Sequence, residues 1–213
     1  MSLPARFVTF EGIEGVGKST QVAALGAALG ARGVAHVITR EPGGTPLAER
    51  IRGLVLEAGP EAVPSSAELL LMFAARAVHL ANLIEPSLAA GRWVLCDRFT
   101  DASFAYQGGG RGVDTAMIGT LQDFVQGSRH PDLTLLLDLP VGQALARARQ
   151  RNQDAPADRF ESERAAFFER VRAAYRARAA AFPDRFVVID AAAPPVAVTQ
   201  AILAALGVRQ WIT

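Results

Sequence analysis

The amino-acid sequence predicts an α/β fold, a central five-stranded parallel sheet flanked by helices, and three observations carry that reading. Short apolar runs alternate with longer helical patterns along the chain. A glycine-rich loop, Gly12-Ile13-Glu14-Gly15-Val16-Gly17-Lys18-Ser19, separates the first apolar run from the first helical stretch. Polar clusters then fall just after apolar runs, and an open parallel sheet gathers its ligands at the carboxyl ends of its strands.

The elements follow in order. Phe7–Phe10 reads as a buried strand leading into the loop. Thr20–Arg32, rich in Ala and Leu, reads as a helix ended by Gly33, and Val34–Thr39 as the second strand. Helical patterns cover Pro46–Glu57 and Ser65–Ala90 before a third strand, Trp93–Cys96. Tyr106-Gln107-Gly108-Gly109-Gly110-Arg111-Gly112 reads as a tight glycine-rich turn, and Thr115–Gln126 as a helix. Leu133–Leu139 is the fourth strand and Val141–Arg151 the helix after it. Asn152 to Asp158 is a polar, proline-containing island between helices, a surface loop and a candidate lid. Glu161–Ala181, strand Phe186–Ile189 and Pro195–Leu206 complete the set, and the alternation calls for right-handed crossovers.

Bulk properties narrow the function. The chain has 213 residues, half of them hydrophobic, enough for one domain with a full core. A net charge of +1 gives no case for a general nucleic-acid binder or a membrane-surface protein. Met1 to Arg6 lacks a basic stretch followed by an apolar run, so no signal peptide is expected. No run approaches about 18 uninterrupted apolar residues, so no membrane span is expected. Cys96 is the single cysteine and cannot form an internal disulfide, which points to the cytoplasm and to a buried packing role.

The glycine loop fits G-x-x-x-x-G-K-[ST], the phosphate-binding pattern, in the strand–loop–helix context that pattern needs. Backbone amides of Gly12 to Thr20 would surround phosphate oxygens, with the helix N-terminus adding its positive end. Lys18 would reach the β- and γ-phosphates, and the Ser19 hydroxyl would sit on Mg²⁺. Asp97 ends the third strand in a carboxylate and suits a second metal-organising acid; Asp138, at the end of the fourth strand, competes for that role but reads as a plain strand exit. Arg98 follows a strand end and can grip phosphate bidentately, with Arg40 and Arg52 as further candidates. Arg147, Arg149 and Arg151 fan around a helix that leads into the polar island, which suits a lid carrying an arginine finger. Phe73 and Arg76 share a helix face, readable as a base pocket or as a core phenylalanine beside a surface arginine. His79 has no metal-ligand spacing and reads as structural or solvated. No N-K-x-D motif occurs, which argues against a guanine-nucleotide switch.

In combination these motifs resemble the thymidylate kinases. The matching pieces are Phe10 to Gly15 with the loop, Thr39-Arg40-Glu41-Pro42-Gly43-Gly44-Thr45, Phe73-Ala74-Ala75-Arg76, Asp97 to Ser103, Tyr106 to Gly112, and Asp158-Arg159-Phe160-Glu161. They run in family order from about residue 7 to about residue 180. The resemblance implies a single kinase domain over 1–213 with a lid at about 147–160, of the nucleoside monophosphate kinase type. It implies in-line transfer from ATP-Mg²⁺ to dTMP in the synthesis of dTTP precursors. Another kinase of the fold, acting on dUMP, CMP or a deoxynucleoside, is the alternative. It also implies a homodimer, with no nucleic-acid or membrane partner.

By the same resemblance, Glu14 would face the sugar 3′-hydroxyl, and Glu41 and Arg52 would hold the sugar–phosphate end. Arg98 would bind the acceptor phosphate. Arg76, Ser103 and Gln107 would address thymine, and Tyr106 would crowd the 2′ position. The family's stacking position falls at Met72, with Phe73 beside it. The loop carries Gly15 and Val16 where some members have an arginine, so the chain looks like the bacterial subtype with the arginine in the lid, at Arg149, Arg151 or Arg159.

Overall fold

The computed structural model describes residues 4–57, 61–151, 160 and 163–212, the side chain of Arg151 excepted. Most of the expected lid, with Arg159, lies outside the described residues.

Five strands form one parallel sheet: β1 (Phe7–Glu11), β2 (His36–Arg40), β3 (Trp93–Asp97), β4 (Leu133–Asp138) and β5 (Phe186–Asp190). Their order across the sheet is β2-β3-β1-β4-β5. Strands β1, β3 and β4 are buried nearly throughout, as expected of a sheet covered on both faces. Phe10 pairs with Asp97, so β1 and β3 end side by side although β2 separates them in sequence. That register sets the glycine loop next to Asp97 and Arg98.

The helix after the loop, α1 (Lys18–Ala31), starts at the loop lysine itself, two residues before the expected Thr20. Lys18, Ser19 and Thr20 therefore present first-turn amides that no helical carbonyl can satisfy. At its other end Val34 donates its amide back to Leu29 O, closing α1 beyond Gly33. Val34 is thereby lost to β2, which begins at His36 rather than at Val34.

The long helix expected over Ser65–Ala90 is helical but not uniform: α3 (Ser65–His79) passes through a π-helical stretch, Leu80–Ile84, into α4 (Glu85–Ala89). Pro86 has no amide to donate to the preceding turn, and the widened stretch lies just before it. By length and composition Ser65–Ala89 could cross a membrane, yet its Glu68, Arg76 and His79 are all buried against the rest of the protein. It is a core helix.

The glycine-rich segment after β3 corrects the sequence reading. In place of a tight turn, α5 (Thr100–Ser103) continues into a second π-helical stretch, Phe104–Gly110. Its glycines serve close packing: a Cβ on Gly109 would stand 2.6 Å from the Ala174 Cβ, and one on Gly110 2.5 Å from the Phe167 ring. Both neighbours belong to α8 (Ala165–Ala181), which starts later than the expected Glu161 because Arg164 is extended.

The remaining helices are α2 (Pro46–Leu56), α6 (Thr115–Gln126), α7 (Val141–Arg151) and α9 (Pro195–Val208). Thr45 caps α2 ahead of Pro46, and Asp114 caps α6. Helix α9 packs on α1, and α3 lies between α2 and α6.

Candidate active site

The site stands where β1 and β3 end. A Cβ on Gly15 would stand 2.0 Å from the carbonyl oxygen of Ala144 in α7, so only glycine lets the loop pass there. Lys18 curls over the loop and donates to the carbonyls of Gly12 and Ile13, at 3.1 and 3.0 Å. Burial and the Arg98 charge lower its ammonium pKa to about 8, against the pull of Asp97, Glu14 and Glu11. Arriving phosphate charge would reverse that shift.

Ser19 Oγ lies 3.4 Å from Asp97 Oδ2, while the buried Asp97 Oδ1 has no partner among the described residues. Asp138 is occupied instead: Arg172 grips both of its oxygens at 2.7 and 2.9 Å. It anchors α8 to the end of β4, which leaves Asp97 as the acid beside the loop.

Arg98 is the hinge between loop and cavity. Its backbone has φ 70°, unusual for a residue with a side chain. Its amide donates to Phe10 O at 2.9 Å, and the Cys96 thiol donates to its carbonyl at 3.0 Å. Burial holds that thiol protonated, reinforced by Glu41 and Asp97, which fits packing and not nucleophilic chemistry. The Arg98 guanidinium donates to Gly12 O, to Glu14 Oε1 and to the Tyr175 hydroxyl, at 2.8, 2.8 and 3.2 Å. It lies 4.8 Å from the centre of the Tyr106 ring, and the Tyr106 hydroxyl donates to Glu14 Oε2 at 2.7 Å. Burial works to raise the Glu14 carboxyl pKa, but Arg98, Lys18 and the Tyr106 hydrogen bond outweigh it and hold the group ionised.

Beyond Arg98 opens a cavity walled by Glu14, Glu41, Arg52, Met72, Arg76, Phe99, Ser103, Tyr106, Gln107 and Phe160. All the expected acceptor residues but one meet here. The exception is Phe73, which turns into the core against Leu69 and Ile118, with the Arg76 guanidinium over its ring. Met72 takes the wall position. One residue along a helix is a rotation of about 100°, enough to exchange cavity for core.

Arg76 is built in tightly. Its Nε donates to Glu41 Oε2 at 2.8 Å, and Nη2 donates to Phe99 O and Ser103 Oγ, at 3.2 and 3.1 Å. Nη1 is buried without a partner among the described residues. The other Glu41 oxygen meets His79 Nδ1 at 3.0 Å, and His79 Nε2 meets Thr39 Oγ1 at 2.7 Å. Glu41 thus orients Arg76, and His79 is buried and structural, not solvated. Arg52 donates to Pro42 O from the cavity rim at 3.0 Å.

The match to known proteins decides the family. A thymidylate kinase family model matches residues 10–202. The chain belongs to the thymidylate kinase family. It is 61% identical to thymidylate kinase of Chromohalobacter salexigens over 189 residues, 88% of each chain. It is 58% identical to that of Pseudomonas entomophila over 200 residues, 94% of each. The crystal structure of thymidylate kinase from Ehrlichia chaffeensis superposes with a TM-score of 0.74 at 34% identity, covering 95% of this chain and 98% of that one. The resemblance read from the motifs is borne out, and with it the α/β kinase fold and enzymatic function.

Thymidylate kinases use ATP as phosphoryl donor and Mg²⁺ with it. Ser19 and Asp97 fit that ion: both offer oxygen ligands, and the unpartnered Asp97 Oδ1 is otherwise an unexplained buried atom. Among the described residues no cluster of three or more His, Cys, Asp or Glu forms a cage. Phosphates and water would complete the ligand shell, as Mg²⁺ prefers.

The arginines expected to serve a lid are described only in part. Arg149 is exposed on α7, while Arg147 donates to Ala191 O at 2.9 Å. The side chain of Arg151 and all of Arg159 lie outside the described residues.

Four residues of the site had no role in the sequence reading. Glu11 accepts from the Phe99 amide and from the Tyr175 hydroxyl, each at 2.7 Å, and so braces the turn that carries Arg98. Tyr175 comes from α8, far along the chain, and no local pattern marks it. Phe160 packs edge-on against Tyr106. Glu68 bonds Gln107, and its spacing from Met72 and Arg76, four and eight residues, is the one available signal.

Proposed function

We propose that this cavity holds dTMP with its phosphate at Arg98, beside an ATP whose phosphates lie along Gly12 to Thr20. The enzyme phosphorylates dTMP with ATP and Mg²⁺ by in-line transfer, as its family does. The observation that carries the assignment is Arg98, bonded to the loop carbonyl of Gly12 and to Glu14 in the cavity wall. One guanidinium spans donor and acceptor sites.

The geometry supports a role for each residue. Arg76 Nη1, Ser103 and Gln107 address thymine, and Met72 and Phe99 form its apolar walls. Tyr106 and Glu14 meet the sugar, and Arg52 closes the sugar–phosphate end. Glu41 acts through Arg76. A phosphate oxygen is already nucleophilic near neutral pH, so positioning and charge neutralisation suffice. When bound at Ser19 and Asp97, Mg²⁺ supplies positive charge to the donor phosphates. Lys18 and Arg98 add to it, and an arginine of the 147–160 lid (Arg149, Arg151 or Arg159) completes the neutralisation. Closure of that lid would exclude water and limit ATP hydrolysis.

The chain reads as one kinase domain acting in the cytoplasm as a homodimer. Exposed Leu47 and Leu54 on α2, Leu70 on α3, and Met117 and Phe124 on α6 support the dimer, since these three helices pack side by side. A coupled assay with dTMP, dUMP and CMP tests the acceptor: dTMP should be preferred, and a preference for CMP would sink the assignment. Arg98→Ala should lower kcat/KM for dTMP by roughly 10²–10³.

A further inference from the structure

We propose that Glu68 sets the base selectivity of the acceptor site by fixing which end of the Gln107 amide faces the base. The inference rests on the reading of the cavity as the pyrimidine site and goes one residue deeper than it.

Gln107 is fully buried and lines the cavity; Glu68, fully buried behind it, does not. A glutamine amide has a donor end and an acceptor end of nearly equal shape, so an isolated one can read either of two opposite partners. Here Nε2 donates to Glu68 Oε1 at 2.8 Å. An ionised carboxylate has lone pairs and no proton, so it accepts the NH₂ end and repels the carbonyl end. The second Glu68 oxygen lies 3.3 Å from Arg111 Nε, which pairs its charge inside the protein. Arg111 is itself held by Glu163 and lies over the Phe167 ring, its guanidinium carbon 4.8 Å from the ring centre.

The consequence is an amide oxygen, Gln107 Oε1, buried with no partner among the described residues. Arg76, on the same cavity, leaves a donor, Nη1, equally unpartnered. One free acceptor and one free donor match a pyrimidine with a proton on N3 and a carbonyl at C4. Cytosine reverses both, with a lone pair on N3 and an amine at C4. It would leave the two buried protein groups facing like groups, the arrangement that polar sites reject most strongly. If the amide turned over, its NH₂ would meet the cytosine N3 lone pair, and half the discrimination would disappear. Glu68 prevents the turn without touching the nucleotide, which makes it a positioning residue.

The test is the ratio of kcat/KM for dTMP to that for dCMP. Glu68→Gln keeps the volume but offers both a donor and an acceptor, so it frees the Gln107 amide. The ratio should fall about tenfold or more, with KM for dTMP raised and KM for ATP unchanged. Glu68→Asp keeps an acceptor-only group and should retain most of the ratio even where the rate falls. A structural role alone would lower both substrates in proportion, and an unchanged ratio in Glu68→Gln would overturn the inference. Gln107→Leu separates this failure from that of the pocket assignment, because it removes the amide and should lower the ratio about tenfold or more whatever Glu68 does. If Gln107→Leu leaves the ratio intact, the base lies elsewhere and both readings fall. The orientation is also readable in the wild-type enzyme by NMR. The Gln107 side-chain NH₂ protons, assigned through their loss in Gln107→Leu, should exchange slowly with and without dTMP. Fast exchange would overturn the inference with no change at Glu68.

Discussion

Glu11 ends β1 fully buried, between the Phe99 amide and the Tyr175 hydroxyl. Burial and the neighbouring Asp101 push its pKa up from 4.5 to about 8, while the Tyr175 hydrogen bond and the Arg98 charge pull the other way. The folded protein therefore holds a proton that the unfolded chain releases near 4.5. Glu11's contribution to stability is whole below that value and is lost as the pH rises towards about 8. Glu11→Gln should flatten the dependence of melting temperature on pH across that window; a slope equal to the wild type's would refute the shift. Lys18 has the opposite sign and a separate window, because its lowered pKa favours folding only as the pH climbs past about 8. At this scale the sequence marked the groups proposed to meet substrate, Lys18 by the phosphate-loop pattern, Arg98 by its place after a strand end, and Arg76 and Gln107 through the family resemblance. It did not mark their braces. Glu11, Glu68 and Tyr175 act through partners 88, 39 and 164 residues apart in the chain, separations no local pattern records.

Elements show a second kind of miss. The Gly108–Gly110 run reads locally as a bend, since glycine is the residue of tight turns. In the fold it is a helical surface stripped of side chains so that α8 can lie against it. Tyr175, on α8, thereby reaches Glu11 and Arg98. Gly109→Ala places a Cβ 2.6 Å from Ala174 and 3.0 Å from Arg170 O. It should cost about 1–3 kcal/mol in denaturant unfolding. It should also raise KM for dTMP, through the displaced Tyr175. A variant as stable as the wild type would mean that α8 yields freely. Strand and helix order was predictable because the period of apolar residues is local, whereas the π-helical stretches arise from Pro86 and from packing.

For the whole molecule, the dimer and lid proposals are each open to test. Phe124 is 86% exposed on α6, a large ring in water unless a second copy covers it. Phe124→Glu should shift the sedimentation of the protein from dimer to monomer; a wild type that sediments as a monomer would remove the dimer proposal outright. The lid arginines are testable by turnover. Arg149→Ala and Arg151→Ala, singly and together, should identify the finger by a loss of roughly 10³–10⁵. Full activity in the double variant would turn attention to Arg159.

The sequence by itself determined the order of the elements, the phosphate loop and the family, because each rests on residues adjacent in the chain or repeating at a short period. Only the tertiary structure decided that Met72 and not Phe73 faces the cavity, that Glu41 serves Arg76, and that Asp138 belongs to Arg172 while Asp97 stands beside Ser19 with one oxygen unpartnered among the described residues. The physical reason is the same in each case. A carboxylate or a ring takes the role of its nearest partner in space, and that partner is set by sheet register and helix packing.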